Sequence, residues 1–342
     1  HVPYWWVNNP TLGEFCFAMI GRADIEGSKS NVAMNAWLPQ ASYSNQPAPD
    51  RIRQADNLST RPVVVISGDP FQQQPIATVR NRITQTNNIY SDNSFHALCS
   101  KFTFHEQHRC ADDEYREILN HLRYSSPTKR ILTLLNSPPH LLYEHEHIFN
   151  TQIIQAITDH ADSTVITVSK AGAAKVNSVI IDHFFNRDRA LGTIQMDDDG
   201  PPTSIYKKMK VIITQNRNKE KGIVNGQPAT IHLRCRNTIV LRLPNDKMVA
   251  VYPCSNYVQR TDGTGNTTTI LKTVFPLIPG YAITICKAQG QTLSKCIAWM
   301  DSKLVAPGTG YVALSRVRTF DSIHFMTPLT KQHFKPVAYE NT

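Results

Sequence analysis

The stretch VVVISGDPFQQQPI, residues 63–76, decides how this chain is read. Val63, Val64, Val65 and Ile66 run without a polar break and stop at Gly68 and Asp69, the pattern of a strand buried on both faces that ends in a loop. A carboxylate, Asp69, and an amide, Gln72, then stand at the carboxyl end of that strand, where open α/β sheets place the groups that meet a ligand. The same residues also describe a hairpin-like loop whose aspartate caps a turn.

Working outward, strand and helix patterns alternate as in a parallel sheet. DDEYREILNHLR, residues 112–123, has an acidic start and brings Tyr115, Ile118, Leu119 and Leu122 onto one face of an amphipathic helix whose charges are read as solvated. TVITVS, residues 164–169, reads as a buried strand, and Ala173 to Phe185 as the helix after it. From Val224 to about Val274 the character changes to short β-branched runs (ATIHLR, TIVLRL, MVAVYP) broken by turn residues, which predicts a small antiparallel barrel inserted into the α/β domain. The apolar segments YAITIC and CIAWM, a helix around Gly310 to Arg316 and the strand SIHFM resume the sheet. The first fifty-odd residues show no sustained periodicity and end in a Pro, Ser and Asn cluster that reads as linker. No internal repeat is visible.

Among the 342 residues, 41% hydrophobic and 18% charged content is ordinary for a globular protein, and a formal charge of +9 favours encounters with polyanions. The seven cysteines Cys16, Cys99, Cys110, Cys235, Cys254, Cys286 and Cys296 are scattered, with no Cys-x-x-Cys pair, which argues for reduced thiols and against a zinc site. The pairs of histidines around Glu106 (His105, His108) and Glu146 (His145, His147) lack the His-Glu-x-x-His spacing of a helical metal site. No charged leader with an apolar core and no apolar run near eighteen residues is seen. An intracellular protein is therefore expected; the nucleus is the expected compartment if the source is eukaryotic.

Four segments, in order, resemble the Pif (petite integration frequency) helicases of superfamily one. Gly68, Asp69, Gln72 and Pro75 resemble their motif III, FHEQHRCADDEYREILNHLR (residues 104–123) their motif IV, and YAITICKAQGQTL (281–293) with GYVALSRVRT (310–319) their motifs V and VI. The resemblance implies an α/β, RecA-like P-loop NTPase helicase fold. It places Gln72 near the γ-phosphate, counts Asp69 among the catalytic residues, and makes Arg109 and Arg316 two arginine fingers that set a guanidinium fork on the charge developing during phosphoryl transfer. Gly68, Gln289, Gly290 and Ser315 would line the nucleotide, while Thr284, Lys287 and Thr292 would meet the phosphates of a single DNA strand. The family usually has His where this chain has Cys286, and often Ser where it has Ala288. KVIITQNRNKEKGIVNGQPATI, residues 210–231, resembles the family segment entering the barrel; Asn225 and Gly226 suit a turn there, and Arg217, Lys219 and Lys221 form a basic tip on what reads as a solvated loop. ATP, Mg²⁺ and single-stranded DNA are the cofactors and partner so implied, with 5′ to 3′ unwinding as the family activity.

The Gly-rich loop and the Mg²⁺-holding carboxylate pair that such an enzyme needs are not found in the sequence. In GRADIEGSKS, Gly21 to Ser30, five residues separate the glycines and Ser28 stands between Gly27 and Lys29, while Asp113 and Glu114 begin a helix after Arg109. Residues from about Tyr4 to Tyr43 resemble a conceptual antisense translation of a large ribosomal RNA gene, which implies no selected function for them. The expected organisation is a segment 1–51, a remnant of a first RecA-like domain at 52–128, a second RecA-like domain at 129–223 and 276–330 interrupted by the barrel at 224–275, and a tail, 331–342. The expected function is a partial helicase, inactive alone, with two alternatives: a non-catalytic module that binds single-stranded nucleic acid, or a decayed gene product.

Overall fold

The computed structural model describes residues 109–196, 200–261, 267–303 and 305–338, together with 4–8, 16–20, 66–67, 69, 71–73, 78–80 and 83–85. The chain divides into two compact units, one of 1–141, 285–294 and 302–342, the other of 142–284 and 295–301. No helix among the described residues is long and apolar enough to cross a membrane.

In the first unit, strand β1 (Tyr4–Asn8) pairs antiparallel with β2 (Cys16–Ile20), and β2 pairs with β3 (Ile66–Ser67). Two strands thus stand in a segment whose sequence shows no sustained alternation. YWWVN and CFAMI are near-continuous apolar runs, which mark a strand without the period-2 signal of a half-buried one. Of the expected strand at Val63 to Ile66, only Ile66 lies within the described residues. A short hairpin joins β4 (Thr78–Arg80) to β5 (Ile83–Gln85). Helix α1 (Asp113–Tyr124) begins where the Asp112 side chain accepts the Tyr115 N–H, and it buries Tyr115, Ile118, Leu119 and Leu122, the stripe read from the sequence. Helix α2 (Lys129–Leu135) is capped by Thr128 in the same way.

The second unit is built on a parallel sheet. Helix α3 (Asn150–Asp159) precedes β6 (Thr164–Thr167), and helix α4 (Lys170–Phe184) follows it. Helix α4 starts three residues before the expected Ala173 because the Ser169 hydroxyl accepts the Gly172 N–H and supplies the cap. The Asp301 carboxylate accepts the Val168 and Ser169 N–H groups at 2.8 and 3.1 Å and also the Ser169 hydroxyl, placing negative charge at the positive end of α4. After the small hairpin β7 (Gly192–Ile194) and β8 (Thr203–Ile205) comes an antiparallel sheet of β9 (Lys210–Ile213), β10 (Pro228–Cys235), β11 (Thr238–Arg242) and β12 (Met248–Val251), closed on its other side by β15 (Leu277–Pro279) against β9. The sheet reaches beyond 224–275 at both ends, because the strands flanking the insertion pair with each other, Val211 opposite Pro279. Its inward residues, among them Val211, Ile213, Ile231, Ile239, Leu241 and Leu277, form one apolar core. The strands β13 (Cys254–Thr261) and β14 (Thr267–Val274) pair as a long hairpin. Strand β16 (Ala282–Thr284) and β17 (Cys296–Trp299) lie on either side of β6, both parallel to it. All four residues of β17 are buried, as continuous apolar strands of parallel sheets are.

The chain returns to the first unit with the single turn α5 (Ile285–Ala288), then α6 (Thr309–Leu314), every residue of which is buried, and β18 (Ile323–Phe325), which bridges to Leu141. Tyr115 of α1 is wholly buried, and its hydroxyl donates to the Leu314 carbonyl at 2.6 Å, locking α1 to the end of α6. Gly308 precedes α6 with φ of 80°, and a Cβ there would stand 2.8 Å from the backbone of Gln72. A glycine is required on both counts: the left-handed backbone, and the close approach of the 69–73 turn.

Candidate functional site

Four segments far apart in sequence converge within the first unit: the 69–73 turn, Arg109 with α1, the turn after α5, and α6 with Ser315 and Arg316. Gly68 and Pro75 lie outside the described residues, as do GRADIEGSKS, His105, Glu106 and His108. Asp69 both caps its own turn and carries an ion pair. Its Oδ1 accepts the Phe71 N–H at 3.0 Å, its Oδ2 accepts the Gln72 amide at 3.3 Å, and Arg123 Nη2 stands 2.8 Å from Oδ1. Gln72 is buried, and its Oε1 accepts from Gln289 Nε2 at 3.1 Å, so the two glutamines expected at one nucleotide touch each other. Beside them, Gln73 Nε2 donates to the Thr309 hydroxyl at 3.5 Å.

Arg109 is half-buried and donates from Nη1 to the Ser315 carbonyl at 3.1 Å. Arg316 has no exposed surface. Its Nε donates to the Val312 carbonyl at 2.8 Å, Nη1 to the Ala288 and Gln291 carbonyls at 3.3 and 3.4 Å, and Nη2 to the Ser315 hydroxyl at 2.7 Å. Ser315 in turn donates to the Val312 carbonyl. Two residues expected at the nucleotide are therefore knitted into the contact between α6 and the turn after α5. Gly290 sits past α5 with φ of 84°, a backbone that L side chains avoid, and lets the chain reverse after one helical turn. Lys287 and Thr292 are exposed in the first unit, and Thr284 is half-buried at the end of β16 in the second.

Arg123 is the residue that sequence reasoning missed. Read as a solvated charge of an amphipathic helix, it is only 21% exposed. It holds Asp69, donates from Nη1 to the Tyr311 hydroxyl at 3.2 Å, and its guanidinium lies 5.0, 5.7 and 5.9 Å from the ring centres of Phe71, Tyr124 and Tyr311. Burial opposes its charge, but Asp69 and the neighbouring tyrosines more than offset this and raise its pKa. Burial and Asp69 likewise push the Tyr311 hydroxyl up, against the pull of Arg123. One signal was available: Arg123 follows Leu119 by four residues, at the edge of the buried stripe.

Among the described residues, most polar groups of this cluster are bonded to one another. The buried side-chain atoms without a partner among the described residues are two amide oxygens, Gln73 Oε1 and Gln289 Oε1, one donor, Arg123 Nε, and, in the other unit, the Ser163 hydroxyl. Arg316 directs its donors to carbonyls and a hydroxyl, and both oxygens of Asp69 are engaged. No group of three or more His, Cys, Asp or Glu side chains placed to hold a metal occurs among the described residues, and His145, Glu146 and His147 are exposed.

Comparison with known proteins places this geometry. The chain is 26% identical over 267 residues to the ATP-dependent DNA helicase Pif1 of Bdellovibrio bacteriovorus, a match that covers 77% of this chain and 57% of that protein. Among solved structures it is similar to Bacteroides Pif1 bound to ssDNA, with TM-score 0.54, 26% identity and 79% and 63% of the two chains covered. It is also similar in fold to the Pif1 helicase of Candida albicans, with TM-score 0.57, 16% identity and coverage of 79% and 64%. The chain spans less than two thirds of the length of each of these relatives. It matches no family model. Sequence and fold agree on a RecA-like α/β chain similar to the carboxyl-terminal portion of Pif1-type helicases.

Proposed function

We propose that this chain is part of a Pif1-type ATP-dependent DNA helicase, and that by itself it binds single-stranded nucleic acid without turning over nucleotide. The observation that carries the reading is that, in one unit, the Gln72 turn meets the Gln289 turn and Arg109 meets Ser315, pairing the segments that resemble motifs III and V and those that resemble motifs IV and VI. In a whole enzyme of this type, ATP with Mg²⁺ supplies the free energy for 5′ to 3′ movement along a DNA strand. Gln72 and Arg109 are then the residues of this chain that face the nucleotide, with Asp69 behind Gln72, while Gly290 and Ser315 shape the backbone around them. Lys287 and Thr292, exposed in the first unit, are the residues offered to the phosphates of the strand.

The non-catalytic reading is favoured for this polypeptide because the Arg316 donors are engaged by carbonyls and a hydroxyl and both oxygens of Asp69 are engaged within the cluster. The purified chain is expected to hydrolyse ATP no faster than buffer in the presence of single-stranded DNA. A DNA-stimulated turnover abolished by Arg109→Ala would overturn that reading.

Binding is expected to be sequence-independent and weak. Each phosphate neutralised on a single strand lowers the logarithm of the affinity by ~0.7 per log unit of salt, and a few contacts give a shallow slope. Anisotropy of a labelled oligonucleotide at two salt concentrations reads this directly. Absence of binding at low salt rejects the proposal, and indifference to salt transfers the interaction to base stacking on exposed aromatic side chains.

A further inference from the structure

We propose that Arg123 is a positioning residue that sets the register of Gln72 by clamping the 69–73 turn between helices α1 and α6. Three independent contacts converge on one guanidinium: the Asp69 carboxylate at 2.8 Å, the Tyr311 hydroxyl at 3.2 Å, and the Phe71 ring with its centre 5.0 Å away. Asp69 and Phe71 belong to the turn, Tyr311 to α6, and Arg123 itself to α1. Phe71 also meets Tyr124 edge-on at 4.7 Å, so the turn is gripped on its apolar side as well.

Gln72 itself is attached at two points, through its amide nitrogen to Asp69 and through its oxygen to Gln289. Releasing Asp69 from Arg123 therefore removes the ion pair that helps fix the carboxylate orienting the Gln72 amide, while the Phe71 N–H still holds that carboxylate. A lysine keeps the charge opposite Asp69 but has no fork to reach Tyr311 at the same time. Asp69→Asn retains one oxygen to cap the turn at the Phe71 N–H, and removes both the ion pair and the second oxygen that accepts the Gln72 amide. The functional weight of the clamp rests on the reading that Gln72 faces the nucleotide in the whole enzyme; the clamp itself does not depend on it.

The test compares the full chain with its Arg123→Ala, Arg123→Lys and Asp69→Asn variants by amide hydrogen exchange and by the side-chain amide NMR signal of Gln72. Exchange at Phe71 and Gln72 is expected to accelerate about tenfold or more in all three, as for loss of one charge-assisted hydrogen bond, and the Gln72 signal is expected to move. Arg123→Lys is expected to keep the melting temperature of the parent chain while losing the Gln72 signal position. A merely structural role predicts that lysine restores both together, and that outcome overturns the proposal, as does unchanged exchange at Phe71 and Gln72 in Arg123→Lys and Asp69→Asn. Should Arg123→Ala fail to fold, those two variants decide. Oligonucleotide binding by the parent chain is measured on the same samples, so that its absence counts against the proposed function and leaves the clamp to be judged on exchange alone.

Discussion

An Arg316→Ala chain is expected to lose about 3 kcal/mol or more of stability in the unit that carries α1 and α6, because a buried acceptor stripped of its donor costs about 1–3 kcal/mol. Three carbonyls, those of Ala288, Gln291 and Val312, and the Ser315 hydroxyl receive the Arg316 donors, and the side chain has no exposed surface. The main chain reinforces the same contact, since the Leu293 N–H donates to the Arg316 carbonyl at 2.7 Å. Lysine gives little rescue, as its single ammonium cannot span acceptors laid out around a planar fork. The measurement is a urea titration followed by hydrogen exchange at α1 and α6. A loss below about 1 kcal/mol would show that the cage closes without the guanidinium and that Arg316 is held there only loosely.

Asn177→Ala is expected to cost about 2–4 kcal/mol in the other unit, the sum of two buried backbone groups left unsatisfied. Asn177 lies on the buried face of α4, and its side-chain amide makes a two-way pair with one residue of β16. Nδ2 donates to the Ala282 carbonyl and Oδ1 accepts the Ala282 N–H, both at 2.9 Å. The strand uses its other edge for β6. Aspartate is no substitute, because it answers the N–H and turns a second oxygen toward the carbonyl. Amide exchange along β6 and β16 under increasing urea reads the effect. A variant with protection equal to the parent would mean that water replaces the amide pair.

Much of the fold is legible in single segments. The stripe Tyr115, Ile118, Leu119, Leu122 of α1 and the continuous apolar runs of β6 and β17 each follow from a local period, because burial on one face or on both leaves its mark residue by residue. The inserted antiparallel strands are legible for the same reason, although their sheet recruits β9 and β15 from outside the expected bounds. Asp69 illustrates a reading left open: a ligand-facing carboxylate and a turn cap were both consistent with SGDPFQ, and the structure shows the cap joined to an ion pair. Asn177 left no trace at all, since an asparagine among apolar neighbours on a helix is equally a solvated residue until its partner strand is known.

By itself, then, the order of residues determined the α/β alternation, the antiparallel insertion and the four segments that resemble a helicase, because propensity, periodicity and motif spacing are properties of neighbours along the chain. Tertiary structure alone decided which polar groups meet. The Gln72–Gln289 pair, the Arg123–Asp69–Tyr311 clamp and the burial of Arg316 among carbonyls join residues separated by long stretches of sequence. A side chain's charge and donors are written in its identity, but whether they face a ligand, water or a carbonyl depends on the packing of segments that share no local pattern. For Arg316 that packing turned the guanidinium inward, and for Arg123 it turned a surface charge into a clamp.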